Sequence, residues 1–289
     1  MNGKGKEYAY DKLKFEGEYL NGKKCNGKGK EYYYNGKLQF EGEYLNGERN
    51  GKGKEYYWNG KLQFEGEYLN GKKWNGKGFN INNEKVYEIK DGNGLVKEYN
   101  NEGKIIFVGD YLNGERNGKV KEYYENGKLK FEGEYLNGKL NGNGKEFYYN
   151  GNLKFEGEYL NGKRNGKGIE YNYNGKLKFE GEYMNGKFWI GKRKEYNDNG
   201  KLKFEGEYLN GKLNGKTKEY YDNEKLKFEV EYLNGERNGK GIEYYDKEWV
   251  VRNPVPNLPV DSLLLAFPSE YLYKRAKYVL PLKGQPSCW

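Results

Sequence analysis

The octapeptide Phe131-Glu132-Gly133-Glu134-Tyr135-Leu136-Asn137-Gly138 recurs, with small changes, nine times along the chain and then stops. A chain written this way is assembled from one small unit that buries its apolar side only against its neighbours, so the period decides the fold before any single residue does. The leading aromatic stands at Phe15, Phe40, Phe64, Phe107, Phe131, Phe155, Phe179, Phe204 and Phe228, with gaps of 25, 24, 43, 24, 24, 24, 25 and 24 residues. The one long gap hides a shorter unit, and Tyr87-Glu88-Ile89-Lys90-Asp91-Gly92 near its middle is the candidate for it. The reading is nine clear repeats and one decayed repeat at about 79–99, together spanning residues 1–247, followed by a tail over 248–289.

Each unit contains two Asn-Gly pairs between runs of alternating apolar and polar residues, as at Asn126-Gly127 and Asn137-Gly138. Asn-Gly is the strongest short hairpin signal, because both residues tolerate positive φ. A helix would meet several interior glycines per unit, each costing about 1 kcal/mol, so the strand assignment wins. In the second strand Leu129, Phe131, Gly133 and Tyr135 share one face, while Lys128, Lys130, Glu132 and Glu134 share the other. The facing of Tyr123 and Tyr124 stays open, since two- and three-residue loops give opposite parity.

A glycine inside a strand weakens it unless another group needs the space. Gly133 and its equivalents therefore predict an aromatic ring of the adjacent strand or repeat lying across them, and a continuous ladder of rings. Val230 replaces that glycine in the ninth copy, which reads as a terminal repeat with its outer neighbour missing. Stacked edge to edge, the hairpins predict an all-β fold: an elongated, single-layer antiparallel β-meander, a solenoid-like ribbon of about twenty strands. At roughly 4.8 Å per strand it would run on the order of 95 Å, with right-handed twist.

Two segments depart from the pattern. Residues 79–99 read as a shortened hairpin, as a bend or binding notch, or, on a weaker signal, as a helix. The tail holds all six prolines. Within it, Pro254 to Pro259 reads as an extended linker, and Ser269 caps a short helix from Glu270 to about Leu280, ended by Pro281. Leu263, Leu264, Leu265, Phe267, Leu272 and Val279 either fold back over the open sheet edge or dock a partner, or the tail has no evolved role.

Composition narrows the function. There is no histidine, which removes the commonest general base and metal ligand. Cys25 and Cys288 lie near opposite ends without a Cys-x-x-Cys pair, as in a reduced, cytoplasmic chain. The Glu132/Glu134 pair resembles acid–base machinery, but it recurs from repeat to repeat, and pairing with cross-strand lysines is the simpler role. Gly211-Lys212-Leu213-Asn214-Gly215-Lys216-Thr217 is one residue too short for a phosphate loop, and no helix follows it. The net charge of +9 comes from 52 basic and 43 acidic residues that interleave, which argues against nucleic acid as a partner. The expectation is no enzyme, no cofactor, no metal and no small-molecule substrate. No apolar run is long enough for a membrane span, and the N-terminal residues lack a signal-peptide core.

The motif Phe131-Glu132-Gly133-Glu134-Tyr135-Leu136-Asn137-Gly138-Lys139, followed by Gly142-Asn143-Gly144, resembles the MORN (membrane occupation and recognition nexus) repeats, in a variant similar to the bacterial YwqK-type antitoxin proteins. The resemblance implies a β-meander used as a scaffold or dimerising module, and members are described as binding acidic phospholipids. The leading expectation is a non-enzymatic scaffold whose aromatic face, taken as the concave one, binds a protein partner or a second copy of the chain. Its candidate residues are Phe107, Tyr111, Leu129, Phe131, Tyr135, Leu153, Phe155, Tyr159, Leu177, Phe179 and Tyr183. The alternatives are peripheral binding to anionic membranes and antitoxin-like neutralisation of a partner.

Overall fold

The structure is a computed structural model that describes residues 2–9, 12–24, 26–246 and 272–278. Every helix or strand among them is a strand, and the strands form two open antiparallel sheets in which neighbours are consecutive in the chain. Nine strands run from Gly3–Ala9 to Lys85–Ile89 and fourteen from Gly94–Tyr99 to Leu272–Tyr278. The chain divides into two compact units, residues 1–163 and 164–289.

In the first unit, one repeat shows how the sequence sets the register. Glu115–Tyr123 pairs with Leu129–Leu136 through Val120↔Gly133, Lys121↔Glu132, Glu122↔Phe131 and Tyr123↔Leu129, with a bulge between Glu122 and Tyr123. Leu129–Leu136 then pairs with Lys139–Phe147 through Phe131↔Glu146, Gly133↔Gly144 and Tyr135↔Leu140. The two Asn-Gly pairs make different turns. Asn137 (φ 49°) and Gly138 (φ 73°) are both left-handed, the type I′ geometry whose twist suits adjoining strands. At Asn126-Gly127 only the glycine is left-handed, at φ 82°. Gly127 N donates to Tyr124 O at 2.8 Å and Tyr124 N to Lys128 O at 2.9 Å, closing a three-residue loop. Asn126 instead uses its side chain, whose Oδ1 accepts from Lys128 N at 2.9 Å. This loop settles the tyrosines: Tyr123 stands opposite Leu129, and Tyr124 closes the loop, its hydroxyl donating to Phe147 O of the next repeat at 2.7 Å.

The type I′ turns are stitched to the preceding repeat. Gly138 N donates to Arg116 O at 2.9 Å, and Asn137 N to Asn117 Oδ1 at 3.3 Å. The same pair of bonds joins Gly71 to Arg49 and Asn70 to Asn50.

The core of this unit is one layer of rings, with Phe40, Phe64, Phe107, Phe131 and Phe155 all buried. Phe131 meets Tyr135 of its own strand edge-on at 6.0 Å and Tyr159 of the next repeat at 5.9 Å, so the ladder is continuous across the repeat boundary. The ring over Gly133 differs in origin from the sequence reading: it is Phe131 of the same strand, whose Cζ would sit 2.7 Å from an added Cβ. The rings of Phe131 and Tyr159 both lie against Gly144 on the neighbouring strand.

The ladder breaks once, so the single sheet expected from sequence is two. Asn80 N donates to Glu84 O at 3.0 Å with Asn83 at φ 68°, and Asp91 and Gly92 are left-handed at 50° and 75°, so the decayed repeat keeps both turns. Its second hairpin is cut short: between Lys85–Ile89 and Gly94–Tyr99 only Lys90↔Asn93 pair. The bulk on the aromatic face explains the gap. Other hairpins of this type set at least one glycine at the facing positions, as in Gly42↔Gly53, Gly109↔Val120 and Gly133↔Gly144. Here Ile89 and Val96 occupy the equivalent places, and both are buried. With no glycine between them these two strands pair only at Lys90↔Asn93, whereas the other class of hairpin accepts two branched residues at Thr217↔Val230.

The second unit, considered on its own, repeats the scheme. Phe179 is buried, Gly181 pairs with Gly191, and Phe188 stacks on Phe179 at 4.3 Å. Val230 does not end the sheet: it is buried opposite Thr217, and the strand Glu236–Asp246 follows it. The helix expected over 270–280 is, in its described part, the strand Leu272–Tyr278, antiparallel to Glu236–Asp246 from Lys240↔Tyr278 to Asp246↔Leu272. The open strand edge supplies backbone partners along seven residues, and that outweighs local helix preference. Ser269, Pro281 and the leucines of 263–265 lie outside the described residues.

Candidate functional site

None of the eleven residues read as the binding face is exposed. Phe107, Phe131, Phe155, Tyr159, Phe179 and Tyr183 are buried, and Tyr111, Leu129, Tyr135, Leu153 and Leu177 are half-buried. Their rings form the core of the layer and are covered by polar groups of the same face. In the first unit, Arg49 lies 3.9 Å above the Phe40 ring and Arg116 4.0 Å above Phe107. Each guanidinium also bridges two glutamates: Arg49 holds Glu31 at 2.7 Å and Glu55 at 2.6 Å, and Arg116 holds Glu98 at 3.2 Å and Glu122 at 2.8 Å. At Lys73 a lysine takes the arginine's place, 2.7 Å from Glu55.

The tyrosine hydroxyls finish the network. Tyr44 donates to Glu31 at 2.7 Å, Tyr111 to Glu98 at 3.1 Å and Tyr135 to Glu122 at 2.8 Å. Burial, and then the hydrogen bond and charge of Glu122, push the Tyr135 phenol up to about 12. Tyr111 is likewise raised to about 12, by burial and then the charge of Glu98. In the second unit Glu170, itself buried, takes Tyr183, Arg164 and Lys178 at 3.0, 3.1 and 2.7 Å. Sequence reasoning missed these glutamates because it weighed only those of the Phe-Glu-Gly-Glu motif. The signal was the Glu followed by an aromatic residue, Glu-Tyr in most first strands and Glu146-Phe147 in one, which parity places beside the rings.

The opposite face carries the expected lysine–glutamate pairs, Lys145–Glu156 at 2.8 Å and Lys121–Glu132 at 3.8 Å. These are solvated and contribute little. Glu43 does not follow that pattern: its carboxylate accepts from the backbone N of Lys52 at 3.0 Å. In the first sheet this charged face, not the aromatic one, is concave. It encloses a groove of about 1280 Å³ lined by seven lysines, six glutamates and eight glycines, among them Lys6, Glu16, Lys30 and Glu41. Bulky rings fill the other side, and a sheet bends away from its bulkier face.

A second surface recurs in every intact repeat. Leu20, Leu45, Leu69, Leu112, Leu136 and Leu160 in the first unit, and Met184, Leu209 and Leu233 in the second, precede the type I′ turns and stand 40–53% exposed. By strand parity they lie on the charged face, at its rim. Their exposure could have been read from sequence, since each is one residue out of phase with the Phe and Tyr of its strand.

Among the described residues no group of histidine, cysteine or carboxylates could hold a metal ion. No helix among them is long and apolar enough to cross a membrane. The recurrent Glu pairs face lysines and solvent.

This geometry agrees with the sequence families. The MORN repeat variant matches residues 26–46, 116–137, 190–210 and 213–234, and the MORN repeat matches 40–61, 131–153, 155–176 and 231–248. The chain carries MORN repeats. The matched segments take in Phe40, Phe131, Phe155 and their turns, so the MORN motif coincides with the ring, the glycine under it and the hairpin that closes it. Nothing among curated proteins matches the chain. Among solved structures, a crystal structure of TcdB2-TccC3-TEV is 12% identical, with a TM-score of 0.20, covering 81% of this chain. One of TcdB2-TccC3-Cdc42 is 12% identical, with a TM-score of 0.17, covering 80%. The MORN chain spans only 15% and 14% of those chains' lengths.

Proposed function

We propose that this MORN-repeat chain is a non-enzymatic scaffold that holds a protein partner, or a second copy of itself, along the rim of its charged face. The observation that carries the reading is the row of exposed leucines. One stands in each intact repeat, two strands or roughly 10 Å from the next, so a partner that touches several gains apolar burial at regular intervals. Lone surface leucines need no explanation, but a row held in register marks an interaction surface. The MORN family supports the same reading, since its repeats commonly serve as protein- or membrane-binding modules. Binding to anionic membranes draws less support from the groove, whose seven lysines are matched by six glutamates.

Leu112→Glu, Leu136→Glu and Leu160→Glu combined test the proposal. The side chains are 43, 51 and 51% exposed, so stability should change little at each site. The wild-type chain is expected to self-associate in sedimentation, or to capture a defined protein that the triple variant fails to capture at an unchanged melting temperature. A monomeric chain that captures nothing, or a variant that behaves as wild type, refutes it.

A further inference from the structure

The turns that carry the exposed leucines also carry a charge. The residue after the Asn-Gly pair faces the leucine across the hairpin: Glu48 faces Leu45, Lys72 faces Leu69, Glu115 faces Leu112 and Lys139 faces Leu136. Residues paired in this way share a face, so each charge stands beside its leucine on the rim. The decayed repeat has no leucine here. Lys90 pairs with Asn93 in its place, and Asp91 takes the asparagine's position in the turn. Within the first unit the row stays in line where the sheet breaks, because Gly92 N donates to Trp74 O at 2.7 Å and Gly114 N to Gly92 O at 2.8 Å. Lys72 and Glu115 bridge the decayed repeat at 2.7 Å, with 42 and 35% of their side chains still exposed. Glu48 and Lys139 are exposed and make no ion pair among the described residues.

Outward from the decayed repeat, the signs are opposite at equal distance: Lys72 answers Glu115, and Glu48 answers Lys139. A row with that antisymmetry is complementary to its own reverse. A two-fold axis through the turn at Asp91-Gly92 puts Lys72 beside Glu115 of a second copy and Glu48 beside its Lys139, and each contact occurs twice. The same rotation sets Leu69 against Leu112 and Leu45 against Leu136 of the second copy. On the axis itself, Lys90 of each copy meets Asp91 of the other. The spacing agrees without adjustment, since both rows advance by two strands, roughly 10 Å, per repeat. Moving the axis by half a repeat brings Glu48 onto Glu115 in one direction and Lys72 onto Lys139 in the other. Farther out, Lys23 and Lys163 are both cations, so the antisymmetry ends there and so does the contact.

We infer that the first unit pairs with a second copy of the chain, rim to rim and in reversed order, about a two-fold axis at the decayed repeat. The inference rests on the scaffold reading of the leucine row and fixes its partner as the same chain. Four leucines and the charges beside them make a contact narrower than a standard interface, so the dimer forms in the ~micromolar range and weakens as salt rises.

Sedimentation of the full chain with charge reversals at the outer pair is the test. Glu48→Lys alone, or Lys139→Glu alone, sets like charges together at two places, and either should weaken the dimer at least roughly ten-fold. The two variants mixed in equal amounts should restore it, because each supplies the sign that the other lacks. The double variant Glu48→Lys/Lys139→Glu should restore it by itself. In the wild-type chain a carbodiimide should join Glu48 to Lys139, a readout that needs no variant to fold. Within one copy their strands are eight apart in chain order, roughly 40 Å, so that link forms only between copies. A wild-type chain that stays monomeric, a mixture no tighter than either variant alone, or absence of the Glu48–Lys139 link overturns the dimer. The leucine-row experiment then separates the two readings: a different protein captured by the wild type and lost by the leucine variant leaves the scaffold standing, and no capture removes both.

Discussion

Gly133→Ala probes the joint on which every repeat turns. A Cβ there would stand 2.7 Å from Asn143 O, from the Cα of Gly144 and from Cζ of Phe131. Two of those three atoms are backbone of the paired strand and cannot rotate away, so the sheet must part locally or the ring must leave its rotamer. Overpacking of this kind costs about 1–3 kcal/mol. A repeat array does not unfold in one step, so the measurement should be local: amide hydrogen exchange along Leu129–Leu136 and Lys139–Phe147. The stated cost corresponds to exchange faster by roughly 5- to 150-fold. Gly127→Ala is the contrast, because nothing lies within 4 Å of its added Cβ but its φ is +82°. Only left-handed strain acts there, about 1–2 kcal/mol, confined to the loop. Adding Phe131→Leu removes the ring contact, and at least half of the Gly133→Ala penalty should survive, since the backbone contacts remain. Exchange in Gly133→Ala within two-fold of wild type would refute the packing argument.

Two titrations follow from the polar network. The Tyr135 phenol sits at about 12 in the folded chain, against an ordinary value near 10, so its stabilisation is whole below about pH 10 and lost as pH rises towards 12. Tyr135→Phe should flatten that part of the alkaline denaturation profile, and a profile of unchanged slope tells against the Glu122 bond. Burial alone would raise the Glu55 carboxyl, but the charge and hydrogen bond of Lys73, and then the charge of Arg49, hold it below the usual range. Its contribution is therefore present above about pH 4.3 and lost as pH falls further. Glu55→Gln should lower stability at pH 7 and reduce the acid-side slope, both followed by circular dichroism, and an unaltered slope excludes Glu55 as its source.

The period of 24 and the Asn-Gly pairs were enough to read strands, hairpins and the ring ladder, because each depends on residues close in sequence. What depends on partners a repeat away was harder to see. The left-handed turn at Asn137-Gly138 and the three-residue loop at Asn126-Gly127 share a dipeptide, and only the bonds of Tyr124 distinguish them. Which face is concave follows from the summed bulk of rings and guanidinium groups, and no single unit displays that sum. The sheet break needed Ile89 and Val96 to be recognised as facing residues, which requires the register first. The tail strand was missed for a related reason: Leu272–Tyr278 borrows its conformation from the edge of Glu236–Asp246, and nothing in its own seven residues announces that. The candidate face was legible as apolar. That it is consumed as core, and that the exposed residues are the leucines beside the turns, follows only from a single layer having to cover its own rings.

The stitches at the type I′ turns bear on how such a chain can change over evolutionary time. Gly138 and Asn137 address only Arg116 and Asn117, and Gly71 and Asn70 address only Arg49 and Asn50. Every bond of this class refers to the preceding copy and to nothing farther away. A duplicated or deleted block of 24 residues therefore arrives with its own attachments, and no distant residue has to be rewritten to accept it. Residues 79–99 show the smaller edit, in which both hairpin arms were trimmed and the turn at Gly92 still found Trp74 O at 2.7 Å. Length is a quantity this lineage can adjust by copying, and the damaged copy is where a new specificity can begin.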